Sequence, residues 1–252
     1  MTTSYVDLEA AKAARGMRLV TVANIPSPWS EAAKGIFHVK KIPYVAVRLG
    51  PGDKAVKEWT RARNAPVAMY DNEPPRTGWA EILELAERVA GPSLIPSAAV
   101  DRATMFGLAH EVMGEGGLLW SGRLLTIHAG LTTNGERGFP TFVAEYLGKR
   151  YGYVNDEASL SRARTRIAEG WSLLANALGD RETFFDRLSA LDIYAAVAMN
   201  LFVLLPEDQC PMFPPIRAAF ASMTEDTAPP PATLVAHRDR MYAKHLELPL
   251  TL

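Results

Sequence analysis

The sequence predicts an α/β domain followed by an all-α domain, and three observations carry that reading. Every short, β-branched apolar run lies before residue 91, almost every later segment repeats its apolar residues at helical spacing, and the stretch 91–97 (GPSLIPS) separates the two regimes. The boundaries that follow are an N-terminal extension over 1–16, a first domain over 17–91, a linker over 92–97 and a helical domain over 98–252. A chain of 252 residues, 48% hydrophobic and 22% charged, is long enough to fill two cores.

The run 18–23 (RLVTVA) reads as a strand, ended by Asn24, Pro26, Ser27 and Pro28. Over 28–41, Trp29, Ala32, Ala33, Ile36 and Val39 mark the buried face of a helix, with Lys34, His38 and Lys41 opposite. A second strand over 43–48 turns at Gly50-Pro51-Gly52 into a helix that Asp53 caps and that runs to Arg63. The third strand is 66–70, and the prolines of 74–77 reduce a fourth to a frayed edge. A helix from Trp79 to Ala90 follows, stopped by Gly91-Pro92. Beyond the linker, periodicity predicts helices over 98–130, 138–151, 157–178, 189–204 and 231–245, the first breakable at Gly116-Gly117. The proline run within 228–231 reads as a loop, and the extension as a short helix packed on the first domain.

Composition excludes several roles. Lys and Arg total 27 against 28 acidic residues, so a net charge of -1 offers no broad positive field for nucleic acid. Cys210 is the single cysteine, which rules out an intramolecular disulfide or a multi-thiolate metal site and suits a reducing, cytoplasmic setting. No secretory signal pattern opens the chain, and the longest apolar run, 193–205, is interrupted by Asn200 and falls short of the roughly 20 residues that span a bilayer. No membrane association is expected. His110-Glu111 lacks the second histidine of a zinc signature because position 114 is Gly, and no other histidine has ligand spacing, so no metal is expected.

The element order β-α-β-α-β-β-α before a helical bundle, together with three motifs, resembles the glutathione transferase (glutathione S-transferase) superfamily over nearly the whole chain. The chain looks like an atypical member of bacterial type. The motifs are Ser27-Pro28-Trp29 with Lys41-Ile42-Pro43-Tyr44 after the helix, Asn64-Ala65-Pro66-Val67 at the third strand, and 186–193 (DRLSALDI), a helix start in which Ser189 and Asp192 have capping-box spacing. The resemblance implies a thioredoxin-like N-terminal domain, a helical-bundle C-terminal domain, a homodimer, and glutathione as cofactor. It implies a cis bond before Pro66, with the backbone of Ala65 meeting the cysteinyl part of glutathione. It also places Ser27 where the family stabilises the glutathione thiolate for attack on a small hydrophobic electrophile.

The residues themselves leave alternatives beside each role. Ser followed by Pro is also an ordinary N-cap and N1 pair, and one hydroxyl can serve both purposes. Ser30 is a second candidate hydroxyl inside the first helical turn. At the start of the fourth helix the family's γ-glutamyl contacts align with Gly78 and Trp79, where an indole replaces a hydroxyl donor, leaving backbone amides to hold a carboxylate. Trp79 reads equally as core or pocket wall. Trp29, Met105, His110, Met113 and Trp120 are candidate lining of the electrophile pocket, and each also fits a core position. Three readings therefore stand: a Ser27-dependent thiol transferase, a non-catalytic binding or interaction protein with an altered γ-glutamyl site, and an enzyme that uses the interdomain cleft without glutathione.

Overall fold

The computed structural model describes residues 3–222 and 227–252, so the first two residues of the extension lie outside it. Strands β1 (Met17–Val22), β2 (Tyr44–Leu49) and β3 (Val67–Tyr70) form one sheet in the order β2-β1-β3, with β1 parallel to β2 and antiparallel to β3. The parallel pair requires a crossover, which helix α2 (Pro28–Val39) supplies. As the central strand, β1 is buried along most of its length, which is why Met17, Leu19, Val20 and Val22 place apolar side chains on both faces rather than on one. The expected fourth strand is a single bridge of Arg76 to Ala68, since Pro74 and Pro75 have no N–H to donate.

On the other edge of the sheet Tyr5 forms a parallel bridge with Ala46, and the helix α1 (Leu8–Ala13) follows. Asp7 starts that helix by accepting a hydrogen bond from Ala10 N at 2.8 Å. Ala11 buries itself with Val20, Val47, Val56, Val67 and Met69, so the extension covers an edge strand that would otherwise present unpaired backbone groups. Helix α3 (Lys54–Thr60) is capped by Asp53 and stops earlier than expected because Arg61 turns left-handed, at φ 55°. Helix α4 (Trp79–Val89) closes the first domain.

The second domain contains α5 (Ala99–Met113), α6 (Leu118–Thr132), α7 (Thr141–Tyr151), α8 (Glu157–Leu178), α9 (Ala190–Phe202), α10 (Pro214–Ala221) and α11 (Ala232–Lys244). The long stretch after the linker does break, where Gly116 takes φ +74°. Helix α10 went unforeseen. Its paired prolines, Pro214 and Pro215, occupy the first positions of the helix, where a missing N–H costs nothing. Every residue of α9 is buried. At its start Asp192 accepts from Ser189 N at 2.8 Å, from Ser189 Oγ at 2.8 Å and from Phe184 N at 3.0 Å, and its Oδ1 lies 3.0 Å from His237 Nε2 on α11. The motif at 186–193 therefore organises folding.

One expected face is corrected. Lys34, placed opposite the apolar stripe of α2, is buried. Its Nζ donates to both Glu31 oxygens at 3.0 Å and to the carbonyl of Thr251 at 2.7 Å, because the segment after α11 folds across that face. Burial pushes the Glu31 carboxyl up against the opposing pull of Lys34.

The linker is pinned rather than loose. Buried Lys40 donates from Nζ to Glu87 Oε1 at 2.8 Å and to the carbonyl of Pro92 at 2.8 Å, while Leu94 N donates to Glu87 at 2.9 Å. Burial alone would raise the Glu87 carboxyl, but the bonds from Leu94, Lys40 and Ser93 outweigh it and hold the group below its usual range. A depressed carboxylate adds stability that is complete above its unfolded-state value, 4.5, and is lost as pH falls through the folded one. Acid unfolding followed by circular dichroism should therefore be less steep below pH 4.5 in Glu87→Gln than in the parent, with Glu87→Gln less stable at neutral pH.

Candidate functional site

Sheet register brings three of the sequence-predicted groups to one end of the molecule. Val20 of β1 pairs with Val67 of antiparallel β3, so Pro66 lies level with the last residues of β1, beyond which the loop to Ser27 begins. Arg76 pairs antiparallel with Ala68, so the chain from Arg76 through Thr77 to Gly78 runs toward that same end. Ser27 at the start of α2, the cis Ala65–Pro66 bond and the N-terminus of α4 thus share one edge of the sheet.

Ser27 is buried at the N-cap position of α2, with Pro28 following, but its side chain makes no capping hydrogen bond. Its carbonyl accepts from Glu31 N at 2.8 Å, as the first helical bond requires, and the hydroxyl has no partner among the described residues. Ser30 is different: its Oγ accepts from Val22 N at 3.2 Å and ties the helix to the end of β1. The second candidate hydroxyl is therefore a structural tie.

At α4 the backbone amides expected to receive a carboxylate already have one. Glu81 folds back so that Oε2 accepts from Gly78 N at 3.0 Å and from Thr77 N at 3.2 Å. The favourable interaction between the helix N-terminus and a negative charge is met within the chain. Trp79 is packed edge-on against Tyr194 of α9 at 5.5 Å between ring centroids, with Phe106 of α5 at 6.2 Å. Its indole joins the core between domains.

The candidate lining residues separate in the same way. Met105 and Met113 are core. His110 is exposed, with its ring over Gly114, where a Cβ would come within 2.5 Å of Nδ1. Trp29 and Trp120 do come together, and the group that joins them is Arg123 of α6. The guanidinium carbon lies 4.5 Å from the Trp29 ring centroid, 4.8 Å from Trp120, 4.3 Å from Tyr151 and 5.7 Å from Tyr153. Arg123 Nε donates to the Tyr153 hydroxyl at 2.6 Å, and Trp29 Nε1 donates to the carbonyl of Met113 at 2.9 Å. Burial raises the Tyr153 phenol to about 12 against the pull of Arg123, so it stays protonated at neutral pH. Each such cation–ring contact is worth roughly 0.5 to 2 kcal/mol, depending on how far water is excluded.

Sequence reasoning missed Arg123. The signal was present, because it is the only charged residue in the otherwise apolar helix LLWSGRLLTIHAGLT, three positions after Trp120. Cys210 is buried, with its thiol pushed up by burial, and so is a poor nucleophile. A small cavity bounded by Glu31, Lys34, Val197 and Tyr242, and an open groove along α8 near Glu111 and Arg166, both lie apart from Ser27 and Pro66. Among the described residues there is no cluster with metal-ligand geometry, and no helix is long and apolar enough to cross a membrane.

No family model and no curated relative matches the chain, so the likeness to known proteins is structural. A glutathione S-transferase of Methylobacterium radiotolerans, solved with glutathione sulfonate, matches at a TM-score of 0.59 and 19% identity, over 94% of this chain and 97% of its own. A glutathione S-transferase domain-containing protein of Marinobacter aquaeolei matches at 0.64 and 16% identity, over 90% and 98%. Rice GST1 in complex with glutathione matches at 0.58 and 18% identity, over 93% and 92%. The chain therefore has the glutathione-transferase fold, a thioredoxin-like N-terminal domain followed by a helical-bundle C-terminal domain.

The two serines give a direct check on this geometry. Ser30→Ala leaves a half-buried Val22 N–H without its acceptor and should cost about 0.5 to 1.5 kcal/mol. Ser27→Ala removes a hydroxyl that bonds none of the described residues and should stay within about 0.5 kcal/mol of the parent. Urea unfolding of both variants measures the difference.

Proposed function

We propose that the protein is a glutathione-transferase-like enzyme that holds glutathione or a related thiol at the shared end of the sheet, where Ser27 stabilises the thiolate for attack on a small hydrophobic electrophile. The observation that carries this reading is the Ser27 hydroxyl: it stands at the N-terminus of α2, buried and without a partner among the described residues, level with cis-Pro66. A free thiol ionises near about 8.5. A hydroxyl donor beside helix N-terminal amides favours the charged form and so increases the nucleophile present at neutral pH. The sulfur would form a bond to the electrophilic carbon as the leaving group departs with its electron pair, and the thiol proton would pass to solvent. The backbone at Ala65 and Pro66 would hold the cysteinyl part. In this reading the protein is a cytoplasmic homodimer, with the extension over 1–16, the first domain over 17–91, the linker over 92–97 and the helical domain over 98–252.

A second reading, a non-catalytic binding or interaction protein on the same scaffold, is favoured by the start of α4. Glu81 occupies the amides of Thr77 and Gly78, so a γ-glutamyl carboxylate arriving there would meet a like charge.

Isothermal titration calorimetry with reduced glutathione separates the readings. The parent should bind, Ser27→Ala should still bind but lose turnover with a general aromatic electrophile, and Glu81→Ala should bind two- to fivefold tighter, about the worth of one charge at a helix N-terminus. No binding by either the parent or Glu81→Ala, with the fold intact, would remove the thiol transferase and leave the second reading. Trp79→Ser is a poorer probe, because it also removes the packing of the indole against Tyr194 and Phe106.

A further inference from the structure

We infer that Arg123 is an anion-recognition residue, and that the ligand of the Trp29–Trp120 face is a flat apolar molecule bearing a carboxylate. The argument begins with what Arg123 lacks. It is half-buried, and no carboxylate of the described residues forms an ion pair with it. Glu115, whose charge reaches Tyr153, is exposed and does not pair with it either. Of the five guanidinium N–H groups, the one on Nε is taken by the Tyr153 hydroxyl at 2.6 Å, and those on the two terminal nitrogens have no acceptor among the described residues. The guanidinium is only half-buried and its terminal nitrogens are not shut away from solvent, so these donors stay open to an incoming ligand.

The rings hold the cation in place, and they also indicate the ligand. Trp29, Trp120 and Tyr151 place their faces 4.3 to 4.8 Å from the guanidinium carbon, stabilising the cation without neutralising it. Both flanking groups are fixed in turn, Trp29 by its bond to the carbonyl of Met113 and the guanidinium by Tyr153. The result is a rigid fork of paired donors, the geometry that meets a planar carboxylate through two parallel bonds, set among aromatic surfaces that an apolar body can stack on. Trp29 is two residues from Ser27, so a ligand held by Arg123 lies next to the loop that carries that hydroxyl. The assignment of this ligand as the electrophile rests on the transferase reading above; recognition of the anion does not.

The test compares trans-cinnamate with its neutral isostere trans-cinnamamide by isothermal titration calorimetry without thiol, in the parent, Arg123→Gln and Arg123→Lys. The parent should bind the acid at least about tenfold more tightly than the amide, the scale of a charge-assisted bond. Arg123→Gln should abolish that preference while leaving amide affinity within about twofold, and Arg123→Lys should keep part of it because the charge remains without the fork. Equal affinity for acid and amide in the folded parent, binding of neither at millimolar concentration, or a preference that survives in Arg123→Gln would overturn the assignment. If Arg123→Gln does not fold, the parent comparison and Arg123→Lys still decide. Glutathione affinity, measured separately, should be unchanged in Arg123→Lys, so failure of anion recognition and failure of the transferase reading give different results.

Discussion

Helix α9 has no solvent face, and all 13 of its residues are buried. A helix apolar on every side must be enclosed on every side, and here α2, α5, α10 and α11 provide the enclosure. The approach of α2 depends on Gly35: a Cβ there would come 2.8 Å from the Ile193 side chain, so any larger residue would push the two helices apart. The axis of α2 is fixed by this contact from one side and by the sheet from the other. The position of Ser27, at the first end of α2, follows from packing far from it.

That rigidity gives meaning to which polar groups are satisfied. Around the start of α2 the fold uses nearly every donor and acceptor it has: Ser30 takes Val22 N, Trp29 takes the Met113 carbonyl, and Ser27 supplies its own carbonyl to Glu31. Against that background the unused Ser27 hydroxyl and the unused terminal nitrogens of Arg123 are not generic surface groups. They are held in place by neighbours whose own bonds are complete, which is the condition for a preorganised site.

The fold class was legible because it rests on local signals: the β-branched runs, the breaker at Gly91-Pro92 and the caps at Asp53 and Ser189 each act within a few residues. The same holds for Ser27, Pro66 and Gly78, whose meeting follows from strand order and register. What escaped depends on distant covering. Lys34 looked solvated because the residue that buries and bonds it, Thr251, is 217 positions away. Trp79 could not be assigned between core and pocket without Tyr194, which is 115 positions away. Arg123 acquires its character only when Trp29 of α2 and the pair Tyr151 and Tyr153 at the end of α7, from two separate stretches of the fold, converge on it.

The two helix N-termini at the shared end of the sheet are treated unequally, and this asymmetry bears on the chemistry. At α4 the chain supplies its own carboxylate, Glu81, so the positive end of that helix is already answered. At α2 the first turn opens with Ser27 and Pro28, the side chain makes no cap, and the nearest acid, Glu31, is turned away into its pair with Lys34. Of the two helix starts at this end of the sheet, that of α2 is therefore the one whose positive end no side chain of the described residues answers.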